Sequence, residues 1–247
     1  MILLISFFCL LSSELRSQTI AMGLYNEANS FYRDGDFPSA IAKYEQAVVS
    51  GGTNSQLFYN LGNAYFETGN IGKAILWYER AKKLAPRDID IRANLRFARE
   101  VKIDREPENI DGIERFFSNV FNFPTMNELI LIFSFGWICI FVISGRCLFK
   151  NKWNGKSGLL LIIFVFLSLS CAGWIFSRMY SIVGEKPAIV MNDVVSARSG
   201  PGTSQTEVFV LNSGTKVYVE REENEWILVR LHNGMGGWVL SSQIKVI

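Results

Sequence analysis

A self-match with a period of 34 residues, in the first third of the chain, is the feature that most limits the fold. The segment LYNEANSFYRDGDFPSAIAKYEQAV, from Leu24, aligns with FYNLGNAYFETGNIGKAILWYERAK, from Phe58. The shift superposes the identical pairs Asn29 and Asn63, Gly35 and Gly69, Ala40 and Ala74, Tyr44 and Tyr78, and Ala47 and Ala81. A fixed period of this length predicts stacked helical hairpins.

Each repeat is predicted to form two helices joined by a turn. The turns are Gly35-Asp36 and Gly69-Asn70, because glycine accepts the positive φ that a tight connection needs. Pro86 ends the second repeat, since it cannot donate the next helical hydrogen bond. Small residues recur where the two helix axes approach: Ala28, Ala40, Ala47, Gly62, Ala74 and Ala81.

The pattern of small and large residues resembles the tetratricopeptide repeat. The second unit, 55–88, matches that pattern at Leu61-Gly62, Tyr65, Ala74, Tyr78, Ala81 and Pro86. The first unit, 21–54, departs from it with Ala28 in place of the usual glycine and Gly52 where proline is common. The resemblance implies an all-α domain of helical hairpins over residues 21–106.

The next segment, IDIRANLRFAREVKIDRE, has one apolar helical face. That face is predicted to contain Ile91, Leu95, Ala98 and Val101. Two interpretations stay open, because about three units are needed to bury a continuous core. The segment is a capping helix over 89–106, or it is the first half of a third unit.

The repeat resemblance implies a peptide groove on the inner face of the first helix of each unit. The candidate groove residues are Tyr25, Asn29, Tyr32, Tyr59, Asn63 and Phe66, with Arg33 and Glu67 beside them. The alternative is that several of these side chains serve packing only. Tyr25 and Asp90 stand where a carboxylate-clamping member of the family has lysines, so we expect the groove to suit an apolar or mixed peptide.

Two apolar runs in the middle of the chain predict a two-helix transmembrane hairpin. They lie at 128–149 and 158–177, and each is about the 20 residues that cross a bilayer as a helix. Arg146 is the single charged residue between Leu129 and Ser177 outside the connecting loop. Neither run has a polar face, which argues against a soluble hairpin.

The charges around these runs predict the orientation. The loop 150–157 contains Lys150, Lys152 and Lys156 and no acidic residue, whereas the segment before the first span is mainly acidic. The positive-inside rule then places the loop in the cytoplasm. Both flanking domains are expected on the extracytoplasmic side of the bacterial inner membrane.

Two shorter apolar segments complete the membrane prediction. Residues 1–20 have the length of a signal peptide or anchor, and Ser17-Gln18 is the candidate cleavage position. The segment 107–127 clusters Ile113, Phe116, Phe117, Val120 and Phe121 on one helical face. We expect it to lie in the membrane interface; the alternative is packing against the repeats.

After residue 186 the apolar period changes to two, with turns between short runs. The segment 186–247 resembles the bacterial SH3-like domain at Arg198, Gly200-Pro201, Gly214, Trp226 and Gly237-Trp238. The resemblance implies a small all-β barrel. It also implies a shallow ligand face for a peptide or cell-wall fragment, formed by Arg198, Trp226 and Trp238; the alternative is that these residues are structural.

Composition excludes several classes of function. His232 is the single histidine, and the cysteines Cys9, Cys139, Cys147 and Cys171 all fall in apolar segments. Histidine-dependent catalysis, metal sites and thiol chemistry are therefore not expected. The formal net charge of +2 offers no basic stripe for nucleic acid. We expect no enzyme activity and no cofactor.

The order of segments resembles the BatE-like proteins of the Bacteroides-type aerotolerance operon. The most similar stretch is NLGNAYFETGNIGKAILWYERAKKLAP followed by NLRFARE. The resemblance implies partners among membrane proteins with von Willebrand-type domains. The sequence thus predicts a multidomain membrane protein acting as a non-enzymatic scaffold. The alternatives are a peptidoglycan-binding receptor or sensor, and a structural membrane organiser without a discrete ligand.

Overall fold

The computed structural model describes residues 2–102, 113, 116, 120–121, 123–150, 155–184 and 186–247. The chain forms two compact units, which are described separately. The first combines Met1–Glu106 with Lys186–Ile247, and the second is Pro107–Glu185. The first unit therefore contains both of the domains that the sequence places on either side of the apolar runs.

Five helices form the first part of this unit. They are α1 (Ile2–Arg33), α2 (Phe37–Val49), α3 (Ser55–Glu67), α4 (Ile71–Leu84) and α5 (Ile89–Val101). The predicted turns are confirmed, because Gly35 has φ 78° and Gly69 has φ 76°. Side chains that accept backbone N–H hydrogen bonds cap α2 to α5: Asp36, Asn54, Asn70 and Asp88. Ser39 donates to Asp36, and these bonds hold the pKa of Asp36 below its ordinary value.

The first helix is longer than a repeat helix. It begins at Ile2 and continues to Arg33, so residues 2–20 and the first repeat helix form one helix. The Ser17 hydroxyl donates a hydrogen bond to the Ser50 carbonyl at the end of α2. This contact lies at the predicted cleavage position, and the removal of residues before it stays a prediction.

The fifth helix repeats contacts made 34 residues earlier. The Tyr65 hydroxyl donates to the Glu45 carboxylate, and Arg99 donates to Glu79 at the equivalent positions. Ile91, Leu95 and Ala98 are buried, whereas Val101, the last residue of the helix, is 51% exposed. The helix therefore packs as the first helix of a third unit would, and residues 103–106 of the predicted cap lie outside the described residues.

The second unit consists mainly of two long apolar helices, α6 (Met126–Lys150) and α7 (Gly155–Gly184). Both are long and apolar enough to cross a membrane, and only 11% of the most apolar stretch of each is buried. A methyl group added at Gly136 would lie 2.6 Å from the Ser168 hydroxyl oxygen, so the helices approach closely there. Residues 151–154 of the predicted cytoplasmic loop lie outside the described residues.

The segment before α6 is described only in part. Ile113, Phe116 and Val120 are helical and exposed. The Phe121 ring stacks on Trp174 of α7 with centroids 5.8 Å apart, and the Trp174 indole N–H donates to the Phe121 carbonyl at 3.2 Å. The remaining residues between 107 and 122 lie outside the description, so the interfacial placement of 107–127 stays a prediction.

The C-terminal part of the first unit is an antiparallel sheet. Its strands are β1 (Lys186–Val190), β2 (Val194–Arg198), β3 (Glu207–Asn212), β4 (Lys216–Glu223), β5 (Trp226–Arg230), β6 (Gly236–Leu240) and β7 (Ile244–Val246). The strand order is β3-β2-β6-β5-β4-β1-β7. Alternate residues such as Ala188, Val217, Val229 and Val239 form its core. The predicted fold class, repeat helices followed by two apolar helices and a small SH3-like β domain, is confirmed.

The sheet packs directly on the repeat helices. Ile189 of β1 is fully buried in the helical core, with Met191 and Ile247 packed against the same cluster. The Arg80 guanidinium of α4 donates to the Val246 carbonyl at 2.8 Å. The β domain therefore shares part of its core with α4 and is not an independent module on a linker.

Candidate peptide-binding sites

The candidate groove begins with a hydrogen-bonded network between α1, α2 and α3. The Tyr44 hydroxyl donates to Asn29 Oδ1 at 2.6 Å. The Asn60 amide Nδ2 donates to the same oxygen and to the Tyr25 hydroxyl, both at 3.0 Å. Four side chains from three helices therefore hold each other in place within the candidate groove.

The same network recurs one period later. The Tyr78 hydroxyl donates to Asn63 Oδ1 at 2.7 Å, and Asn94 Nδ2 donates to Asn63 Oδ1 at 3.0 Å. Asn94 Nδ2 also donates to the Tyr59 hydroxyl at 2.9 Å. Sequence reasoning missed Asn60 and Asn94, although both fall on the 34-residue period and were visible in it.

The network determines which groups the asparagines offer to a ligand. Because Oδ1 of Asn29 and of Asn63 accepts two hydrogen bonds, the orientation of each amide is fixed. Within the described residues no acceptor is found for Nδ2 of either side chain. Each amide therefore has an N–H group that no described protein group accepts.

Two tyrosines of the network, Tyr44 and Tyr78, stay protonated over the physiological pH range. Burial, followed by the nearby Tyr25 hydroxyl, raises the pKa of Tyr44 to about 12. Burial and the neighbouring Tyr59 likewise raise the pKa of Tyr78. Both hydroxyls therefore remain donors and hold the asparagine carbonyls in place.

Aromatic side chains form the other end of the candidate groove. Tyr32 packs edge-on against Phe37 with centroids 5.2 Å apart, and Phe66 lies 5.5 Å from Phe97 of α5. Burial raises the pKa of Tyr32, and the charges of Glu67 and Tyr59 raise it further. All six candidate residues are half-buried, so each contributes both to packing and to the surface.

The three residues of the candidate ligand face on the β domain differ in their contacts and in their burial. Arg198 Nη1 donates to the carbonyls of Thr203 and Gln205, each at 2.7 Å, so the guanidinium holds its own loop. Trp238 lies opposite Arg198 in the sheet and is only 8% exposed. Trp226 pairs with Leu240 and is half-buried, as is Arg198, so both are more accessible than Trp238.

Two family models match parts of the chain. The tetratricopeptide repeat model matches residues 25–89, and the bacterial SH3 domain model matches residues 193–245. Tetratricopeptide repeats and a bacterial SH3 domain are therefore present, on the two parts of the first unit described above. Among the described residues there is no group of three side chains that could hold a metal ion.

One curated protein is similar to part of the chain. The putative N-acetylmuramoyl-L-alanine amidase YrvJ of Bacillus subtilis (strain 168) is 30% identical over 88 residues. The match spans 36% of this chain and 16% of that protein. Because so little of the amidase is covered, its activity is not transferred to this chain.

Solved tetratricopeptide structures are also similar to the helical part. The second TPR of Spaghetti (RPAP3), bound to the HSP90 peptide SRMEEVD, shares 21% identity over 38% of this chain and 82% of that chain, with a TM-score of 0.37. The Arabidopsis OM64 TPR domain shares 18% identity over 34% of this chain and 69% of that one, with a TM-score of 0.33. Scores this low support no argument about ligands.

Proposed function

We propose that this protein is a membrane-anchored, non-enzymatic scaffold that holds a segment of a partner protein in the groove of its repeat helices. The observation that supports this best is the duplicated network around Asn29 and Asn63. It supplies two N–H donors one repeat apart, each flanked by aromatic rings. An extended peptide alternates carbonyl groups with side chains, so it can use both features.

The anchor in this proposal is the hairpin of α6 and α7, with its short basic loop in the cytoplasm. The first unit supports that arrangement. In sequence α4 precedes the hairpin and β1 follows it, yet the two elements share one core. Two domains that pack on each other must lie on the same side of any membrane the hairpin crosses. Positive charge in the loop makes that the extracytoplasmic side of the inner membrane.

The proposed partners are membrane proteins of the cell envelope. The resemblance to BatE-like proteins favours those with von Willebrand-type domains, within an aerotolerance-type membrane complex. Tyr32, Tyr59 and Phe66 give the groove an aromatic character that favours an apolar or mixed segment. A second weak site on the β domain of the same anchored chain would raise overall affinity through effective concentration.

The test is a pull-down from gently crosslinked membranes through a C-terminal tag, with proteins identified by mass spectrometry. The wild type is compared with the double variant Tyr59→Ala and Phe66→Ala. A matched control, Val49→Ala with Leu84→Ala, removes two exposed apolar side chains from other helix positions. We expect the control to retain specific envelope proteins and the groove variant to lose them; equal recovery from both would overturn the groove proposal.

A second function, a receptor or sensor for peptidoglycan, is favoured by the bacterial SH3 domain and by the similarity to a putative amidase. Its contact residue would be Trp226. The test is cosedimentation of the full detergent-solubilised chain with purified sacculi, because a separated β domain would expose Ile189. Retention that Trp226→Ala abolishes would support the receptor; no retention of the wild type would exclude it.

A further inference from the structure

The helix α6 has a tryptophan at the middle of its apolar length. Trp137 lies about halfway along Met126–Phe149, and 44% of it is exposed. Within the described residues its indole N–H has no acceptor. Tryptophan is normally found at the two membrane interfaces, where water and headgroups accept its hydrogen. In the hydrocarbon interior neither is present, so a protein acceptor for the indole N–H lowers the free energy there.

Trp137 belongs to a stripe that turns away from α7. Its members alternate at spacings of four and three residues: Ile130, Ser134, Trp137, Phe141, Ser144 and Leu148. Contact residues have this spacing along a helix that packs on another with the two axes crossing at about 20°. Gly136, which packs on Ser168 of α7, lies about 100° around the helix from Trp137. The stripe is therefore a second face of α6, on which every member is exposed except Ser144, which is half-buried.

The indole is held in place by its own helix. The Phe133 ring lies 6.2 Å from the Trp137 ring in an edge arrangement, and the Phe141 ring lies 6.1 Å away on the other side. A side chain fixed between two neighbours loses little further freedom on association. The indole N–H of Trp137 is thus held in one direction before any association.

The same stripe also supplies an acceptor. The Ser134 hydroxyl donates to the Ile130 carbonyl at 2.8 Å, so its hydrogen is used within the helix while its lone pairs face outward. Helical side chains slant toward the N-terminus of the helix. The Trp137 indole therefore lies at about the same depth in the membrane as the preceding turn of α6. In a parallel neighbouring copy that depth is occupied by Ser134.

We propose that α6 forms a parallel two-fold homodimer in the membrane, in which Trp137 of each copy donates to the Ser134 hydroxyl of the other. The occupant is a second copy because one face contains both donor and acceptor, which is the condition for a self-complementary two-fold contact. The inference rests on the membrane anchor of the proposed function. Its consequence is a pair of repeat grooves on one side of the membrane, suited to a partner with two binding segments.

The test measures energy transfer between full-length copies with donor or acceptor dyes on C-terminal tags, reconstituted in lipid vesicles over a series of protein-to-lipid ratios. The variants are Trp137→Phe, which removes the N–H and keeps the ring, and Ser134→Ala. Phe135→Leu is the matched control, because Phe135 is exposed on α6 outside the stripe.

We expect each variant to raise the dimer dissociation constant about tenfold, since two symmetry-related hydrogen bonds are lost together. The double variant should be no weaker than either single one, and the control should match the wild type. Transfer no greater than random proximity at every ratio would overturn the homodimer, as would wild-type affinity in Trp137→Phe.

Carbonate extraction of the same membranes separates this inference from the proposal on which it rests. If the chain is extracted like a peripheral protein, the membrane anchor itself is wrong and the homodimer with it. If the chain stays embedded but monomeric, the anchor stands and only the homodimer is wrong.

Discussion

Gly72 of α4 lies so close to Ser213 of the β domain that a methyl group added at Gly72 would be 2.1 Å from the Ser213 hydroxyl oxygen. The backbone nitrogen of Gly214 and the carbonyl of Val190 would lie at 3.1 and 3.3 Å. Because two of these three atoms are backbone, they cannot rotate away. Gly72 is therefore a position at which the backbones of the two domains come into close contact.

Gly72→Ala is expected to weaken the docking of the β domain. Overpacking of this kind costs about 1–3 kcal/mol, of which the better helix propensity of alanine offsets roughly 1 kcal/mol. The thermal unfolding midpoint of the detergent-solubilised protein should fall. Gly23→Ala is the control, because an added methyl group there meets nothing within 4 Å, and it should raise the midpoint. A lower midpoint for Gly23→Ala than for Gly72→Ala would contradict the docking.

Arg99→Ala is expected to destabilise the repeat domain strongly. Glu79 is only 6% exposed, and the Arg99 guanidinium is its partner. Removing the guanidinium leaves the buried Glu79 carboxylate without its ion-pair partner, which costs roughly 3 kcal/mol even with the Lys82 ammonium nearby. Urea unfolding followed by circular dichroism measures the change, and Arg96→Ala is the control because Arg96 is exposed on the same helix. Equal effects of the two changes would show that the ion pair contributes nothing specific.

The raised pKa of Tyr44 predicts loss of stability in alkali. The ordinary pKa of the side chain is 10.0, and in the folded protein it is about 12. The unfolded chain therefore releases this proton first, and the tyrosine's contribution, complete below pH 10, is lost as pH rises toward 12. Unfolding midpoints measured at several pH values up to about 11.5 should fall less steeply for Tyr44→Phe than for the wild type. Parallel slopes would contradict the assignment.

Arg198→Ala is expected to act on loop structure more than on ligand binding. The guanidinium donates to two carbonyls of the loop between β2 and β3, and both bonds disappear with it. Limited proteolysis should then cut the chain between residues 199 and 206 faster, while Trp226→Ala should leave that rate unchanged. A sacculus-binding defect in Arg198→Ala without faster cleavage would instead make Arg198 a ligand contact.

The sequence was sufficient for the fold class because its signals are local and repeated. Each signal predicts its own part of the fold without information from the rest of the chain. These signals are the 34-residue period, the turn glycines Gly35 and Gly69, and the apolar lengths of α6 and α7. The sequence did not show that Val101, at the end of α5, is exposed, because helical period alone does not indicate where a packing partner ends.

The docking of the β domain on α4 was not predicted, because long-range packing between small residues leaves no periodic signal. Gly72 occupies an ordinary helical position, and Ile189 has the pattern of any strand residue. Asn60 and Asn94 differ in this respect. Their 34-residue spacing was present in the sequence, and only their hydrogen-bond partners needed the structure.

The most direct test of the central claim is site-specific photocrosslinking in living cells, with a photoreactive phenylalanine analogue in place of Phe66. The same analogue at Leu84, an exposed position at the end of α4, is the control. A groove that holds a partner segment predicts a discrete crosslinked protein from position 66 that is absent from position 84 and is lost when Asn63→Ala is added. No crosslink at position 66, or the same products from both positions, would contradict the account.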